Sequence, residues 1–311
     1  MLLVAACQGP GAGTLSAVDW ERAEHATARG DWARAASYWN HIRRNETPAT
    51  PRPQLETADA LLHLGRTDDA LAMLDAGLVQ FPESPDFLLA RARLQRQLGF
   101  RRAAERDALT AVGRAPTDVE GWILLASLRL ELESPTRAAE AAERALALAP
   151  ERSDVRLLAA RAYAGMGDAE RAHQNFAHVL TAEGNRSYDL LLEASILHAV
   201  DGPHTTQVDA ALGWIAEALE MSPRCPRASF VEGCLLERAG HAERAKLAYR
   251  RAIESDNFHL AAMTNLALLC AAEGDRAGAE EMVERILALD LERDPARRRA
   301  LRELIDAPPG P

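Results

Sequence analysis

Small and apolar residues return along this chain every thirty-four positions. The period cuts it into eight units: 16–49, 51–84, 85–118, 119–152, 153–186, 187–225, 226–259 and 260–293. The sixth is longer, with its extra residues near Asp201–Gln207. Stacked, the twentieth column reads Ala35, Ala70, Ala104, Ala138, Ala172, Ala211, Ala245 and Ala279. The eighth reads Ala23, Ala58, Ala92, Ala126, Ala160, Ala194, Gly233 and Ala267. Glycine recurs near the fifteenth column at Gly30, Gly65, Gly99, Gly167, Gly240 and Gly274, with Glu133 in its place in the fourth unit. Proline recurs near the end at Pro48, Pro82, Pro116, Pro150 and Pro223. The pattern predicts two helices per unit. The small columns mark their crossing, where a Cβ alone lets two axes approach closely. A larger side chain there would overpack the contact at about 1–3 kcal/mol. The glycine accepts positive φ where the first helix stops, and the late proline ends the unit because it cannot continue a helix. Trp39, Leu74, Phe176, Ile215 and Tyr249 are expected to fill the space beneath the small column.

After the eighth unit, Asp294 and Pro295 read as the N-cap and first residue of one more helix ending at 306. Its Leu301, Leu304 and Ile305 form an apolar stripe suited to cover the last unit, as a repeat array needs a polar-backed end. Residues 307–311 read as a disordered tail.

The columns resemble those of the tetratricopeptide repeat family, most clearly in the fourth unit with Trp122, Leu125, Ala126, Ala138, Ala145 and Pro150. The resemblance covers 16–293 and implies an all-α fold: a right-handed α-solenoid of about eight helix-turn-helix repeats with a C-terminal capping helix. It also implies that the first helix of each unit lines a concave face. That mapping turns Leu55, Leu89, Ile123, Leu157, Leu191 and Phe230 inward as an apolar column. Asp59, Arg93, Ser127, Arg161, Ser195 and Cys234 lie beside it. His63, Arg96, Gln97, Glu131, Tyr188, His198, Glu237 and Arg238 follow along the same helices. Such a groove suits an amphipathic helix or extended segment of another protein; the other reading of the apolar column is packing between repeats. Co-chaperone members of the family grip a terminal carboxylate with lysine and asparagine. The inward columns here hold neither, so that mode is not expected. Arg93 and Arg161 are suited to an acidic ligand.

Composition narrows the function. The 311 residues carry a net charge of −10, so nucleic acid is not an expected partner. Only one of 36 basic residues, Lys246, is lysine, and it lacks the glycine and hydroxyl neighbours of a phosphate-binding loop. His173 and His178 are spaced onto different helix faces, and His198 and His204 have no cysteine or paired carboxylate beside them. Each histidine therefore reads as a surface or groove residue, no cofactor is expected, and the chain reads as non-enzymatic.

Leu3-Val4-Ala5-Ala6-Cys7 resembles a bacterial lipobox, followed by the pliant run Gln8-Gly9-Pro10-Gly11-Ala12-Gly13. The resemblance implies acylation of Cys7, residues 1–15 being a shortened signal and linker, and a protein facing the periplasm. The n- and h-regions of a full signal are missing, so either the true start lies upstream or the match is accidental. Anchor and repeats together are similar in organisation to the repeat lipoproteins of type IV and tight-adherence pilus systems. The preferred expectation is a lipid-anchored envelope scaffold for a surface or secretion structure. The alternatives are a cytoplasmic adaptor and the accessory subunit of a separately encoded enzyme. Cys225, Cys234 and Cys270 leave bridged and free states open, with Cys270 expected as a buried thiol.

Overall fold

The computed structural model describes residues 17–46, 50–181, 183–199 and 207–289, with the single positions 299 and 303. Cys7, the linker, the insertion at 201–206 and the tail lie outside them. So does the capping helix, apart from Arg299 and Glu303, which are helical.

The described residues form eight helix pairs and no strand. In chain order they are α1 (Ala17–Ala28) with α2 (Trp32–Asn45), α3 (Arg52–His63) with α4 (Thr67–Gln80), and α5 (Pro85–Gln97) with α6 (Arg101–Arg114). Next come α7 (Val119–Glu131) with α8 (Pro135–Leu148), and α9 (Ser153–Met166) with α10 (Ala169–Leu180). The last three are α11 (Tyr188–Ala199) with α12 (Val208–Met221), α13 (Pro226–Arg238) with α14 (Ala242–Ser255), and α15 (Leu260–Ala272) with α16 (Arg276–Leu289). The result is an all-α helical repeat of the solenoid class. It divides into two compact units, Met1–Ala162 and Tyr163–Pro311, the division falling within α9.

The repeating columns explain the pairs. All eight alanines of the twentieth column are fully buried, and in the eighth column every alanine is at most 2% exposed. In the seventh repeat Gly233 replaces that alanine because a Cβ there would meet the Tyr249 ring at 2.4 Å. Trp39, Leu74, Phe176, Ile215 and Tyr249 are all buried beneath the small column, as expected.

The reversal between paired helices is equally regular. The glycines near column fifteen take φ between 68° and 83°, and the next residue donates its N–H back across the turn, as in Arg66 to Leu61 and His241 to Leu236. This is the six-to-one bond of a Schellman ending, which satisfies a carbonyl the helix leaves unpaired. Glu133 makes the same turn at φ 53° and is the one described non-glycine residue with positive φ.

Neighbouring repeats share their cores. In the first unit Ala60 of α3 joins the cluster of Ala23, Trp39 and Ile42. Phe87 and Leu94 of α5 join that of Ala58, Leu61 and Leu74. In the second unit Tyr249, Met263, Leu266 and Ile286 form another. Charged ties reinforce the stack: Arg91 grips Asp107 through Nε at 2.7 Å and a second nitrogen at 2.9 Å, and Asp75 at 2.7 Å. Arg91 thus links α4, α5 and α6 through a forked geometry that lysine could not reproduce. Among the described residues no helix is long and apolar enough to cross a membrane.

Candidate partner-binding face

In the first unit, α3, α5 and α7 present columns five and nine one helical turn apart, so both side chains of each helix lie on one face. Between α3 and α5 lies a depression of about 630 Å³, lined by Leu55, Asp59, Leu62, Asp86, Leu89 and Arg93 among others. A second, of about 530 Å³, follows between α5 and α7, with Arg93, Arg96, Arg101, Ile123, Ser127 and Glu131. Arg93, Gln97 and Glu120 belong to both, which makes the two depressions one continuous surface. Its floor is apolar: Leu89 is 5% exposed, while Leu55 and Ile123 are half-buried.

The charges above that floor are unevenly committed. Arg96 and Arg101 both bind Glu131, at 2.5 and 3.2 Å. Asp59 stands 3.7 Å from His63, and Glu120 binds Arg152 at 2.6 Å. Burial pushes the Glu56 carboxyl up, opposed by Arg52 at 3.7 Å. Arg93 is exposed and has no ion-pair or hydrogen-bond partner among the described residues; Asp86 has none either. The surface therefore offers one uncommitted cation and one uncommitted carboxylate over an apolar floor.

The remaining residues mapped to a groove are placed differently. On α9, Leu157 is half-buried and Arg161 exposed, and neither lines the two depressions. In the second unit, Leu191 and Ser195 are fully buried and face no groove, which corrects the expectation drawn from their columns. The cause is local: α13 packs on α11 in addition to α12, although less extensively, and covers the face that α5 and α7 leave open. Ser195 Oγ donates to the Leu191 carbonyl at 2.7 Å and lies 3.3 Å from that of Ala211. Half-buried Phe230 lies tilted against Tyr249 and His259, with ring centroids 5.9 and 5.0 Å away. The Tyr188 hydroxyl donates to Cys225 Sγ at 2.7 Å.

Two histidines also depart from expectation. His198 is buried, and its Nε2 lies 2.9 Å from Nδ1 of His173, whose ring stacks on Trp214. Burial holds the His173 imidazole below its usual range, with Glu170 acting in the opposite sense. Sequence reasoning missed the pair because its members are 25 residues apart. The available signal was the repeat itself, since the second helix of one repeat packs on the first helix of the next. Lys246 is buried between Glu243 and Glu273, which hold it protonated, the opposite of what an amine nucleophile needs. Cys225, Cys234 and Cys270 are free thiols, Cys270 buried. Among the described residues no group of three or more acidic, histidine or cysteine side chains could hold a metal.

Comparison with known proteins agrees with this architecture. One family model described as tetratricopeptide repeat matches residues 51–94, and another of the same description matches 89–153 and 230–298. Together they cover more than half of the chain. The chain belongs to the tetratricopeptide repeat family. Among solved structures, it is similar to a tetratricopeptide repeat protein from Parabacteroides merdae, with 18% identity over 81% of this chain and 97% of that one and a TM-score of 0.52. It is also similar to the C-terminal part of a TPR repeat-containing protein from Cytophaga hutchinsonii, with 15% identity over 79% and 99% and a TM-score of 0.59. A third likeness is to Naa15/Naa10 bound to HypK-THB, with 15% identity and a TM-score of 0.51. It covers 93% of this chain but only 44% of that one. At these identities the likeness carries the fold alone. A comparison with curated proteins finds no match.

Proposed function

We propose that this tetratricopeptide repeat protein is a non-enzymatic interaction scaffold whose first unit holds an amphipathic segment of another protein across α3, α5 and α7. The observation that carries the reading is the continuous surface around Arg93, apolar below and charged above. A segment lying there would set apolar side chains on Leu55, Leu89 and Ile123. It would bring an acidic group to Arg93 and a basic one to Asp86, since uncommitted charges need no existing pair to be broken. Repeat proteins of this class work through such extended surfaces. The test selects peptides on the full chain from a displayed random library, then measures their affinity for Arg93→Glu. A loss of tenfold or more in a variant of unchanged helicity supports the reading. Undiminished affinity across the selected peptides removes it.

The lipobox-like run ending at Cys7 supports a further element of the proposal: acylation holds the scaffold at a bacterial envelope, facing the periplasm, where it assists assembly of a surface or secretion structure. Lipid labelling at the native locus tests this. Label lost in Cys7→Ser is the expected outcome, and absence of label from the wild type rejects it.

A further inference from the structure

The surface proposed to hold a partner has its charge divided between its two halves. Among the described residues, the α3–α5 depression is lined by Glu56, Asp59, Asp86, Asp118 and Glu120, with Arg93 as its one cation. Two of these acids are compensated by arginines outside the lining: Arg52 stands 3.7 Å from Glu56 and Arg152 2.6 Å from Glu120. The other three keep their charge. Asp86 has no partner among the described residues. Asp118 accepts only a neutral backbone N–H, that of Glu120 at 3.1 Å. Asp59 has His63 at 3.7 Å, which adds a positive charge only when protonated. The α5–α7 depression is the reverse. There Arg93, Arg96 and Arg101 face Glu131, because Glu120 is again held by Arg152. Glu131 binds both Arg96 and Arg101 and can cancel the charge of one.

Three carboxylates against one guanidinium on one side thus become three guanidiniums against one carboxylate on the other, above a single apolar floor of Leu55, Leu89 and Ile123. All of these charged groups except half-buried Asp118 are exposed and open to a ligand. We infer that the partner segment is charge-segregated and binds in one direction, its basic part over α3 and α5 and its acidic part over α5 and α7. The inference rests on the groove proposed above and adds the polarity of its ligand. A segment of one sign throughout would be drawn to one half and repelled by the other, so its electrostatic gain would cancel. A segment laid the opposite way would set like charges together, which is the usual means of rejecting a wrong register. The apolar floor fixes depth in either direction, so the charges alone select between them.

The test measures coupling between the two ends. Peptides selected on the full chain are titrated against wild type, Asp59→Asn with Asp86→Asn, and Arg96→Gln with Arg101→Gln. Each peptide is also made with its basic residues replaced by glutamine, and separately with its acidic residues replaced. Removing the basic residues should weaken binding to wild type roughly fivefold or more and hardly change binding to the aspartate variant. Removing the acidic residues should do the same with the arginine variant, and salt should weaken the wild-type complex. Single Asp86→Asn and Arg101→Gln repeat the cycle if either pair lowers helicity. Peptides that need Arg93 but show no such coupling, show it crossed, or carry one sign throughout overturn the polarity and leave the groove standing. Absence of any peptide weakened by Arg93→Glu removes the groove, and the polarity with it. Peptide binding that is lost as the protein is concentrated into a dimer also overturns the inference, in favour of a second copy as occupant.

Discussion

Column nine of the repeat places Arg93 and Ser127 on an open face in the first unit and Ser195 in a fully buried position in the second. The helices are equivalent in the repeat, yet Arg93 and Ser127 line an open surface while Ser195 is closed off. What differs is the next first helix along: α13 packs on α11, whereas α3, α5 and α7 leave depressions between them. A repeat column therefore specifies which side of a helix a residue occupies. Exposure depends on how closely the following repeat approaches, which is set by side-chain volumes spread over several helices.

The strongest way to break the comparison is to exchange the residues. Ser195→Arg forces an unpaired guanidinium into the α11 core and should lower stability by more than about 3 kcal/mol. Ser127→Arg, in the same column of α7, should change it by less than about 0.5 kcal/mol. Urea unfolding followed by circular dichroism measures both, and equal losses would show that the two faces are alike. Truncation sharpens the contrast: Leu191→Ala should cost about 2–5 kcal/mol as a buried cavity. Leu55→Ala, half-exposed on the groove floor, should cost less than about 1.5 kcal/mol while weakening selected peptides.

Acid offers a third contrast. His173 sits below its ordinary value because of burial, so the unfolded chain takes up its proton first as pH falls. The contribution is fully present above the ordinary value of 6.5 and is lost as pH drops from there toward the depressed folded value. Melting temperature should therefore fall over that window in the wild type and fall less in His173→Gln. An unchanged slope in the variant would remove His173 as the cause.

The smallest expected effect is at Glu133. Its left-handed backbone costs a non-glycine residue about 1 kcal/mol, partly offset in Glu133→Gly by the greater freedom of the unfolded glycine. Thermal melts should show a gain of no more than about 1 kcal/mol; a loss would mean that the glutamate side chain contributes a contact of its own.

These cases also show how much of the molecule was legible beforehand. The alanines of column twenty and the turn glycines are dictated by two helices within one repeat, and a column read from sequence contains that whole relationship. The place of Glu133 in the same turn was legible for the same reason. Of the groove residues, Leu55, Asp59, Leu89, Arg93, Arg96, Ile123 and Ser127 do line one surface. Leu191 and Ser195 could not be separated from them, because closure by α13 involves a contact between repeats that no single column records. The His173–His198 contact was hidden likewise: each member taken alone is an unremarkable polar residue on a helix.

The central claim is that partner binding belongs to the first unit's open face and not to the equivalent columns of the second. Its most direct test places a photo-crosslinking amino acid at Asp59, Ser127 or Phe230 in the full chain and irradiates each with a peptide selected on the wild-type protein. The account expects adducts from positions 59 and 127 and none above background from 230. Adducts at 230 with none at 59 or 127 would contradict it.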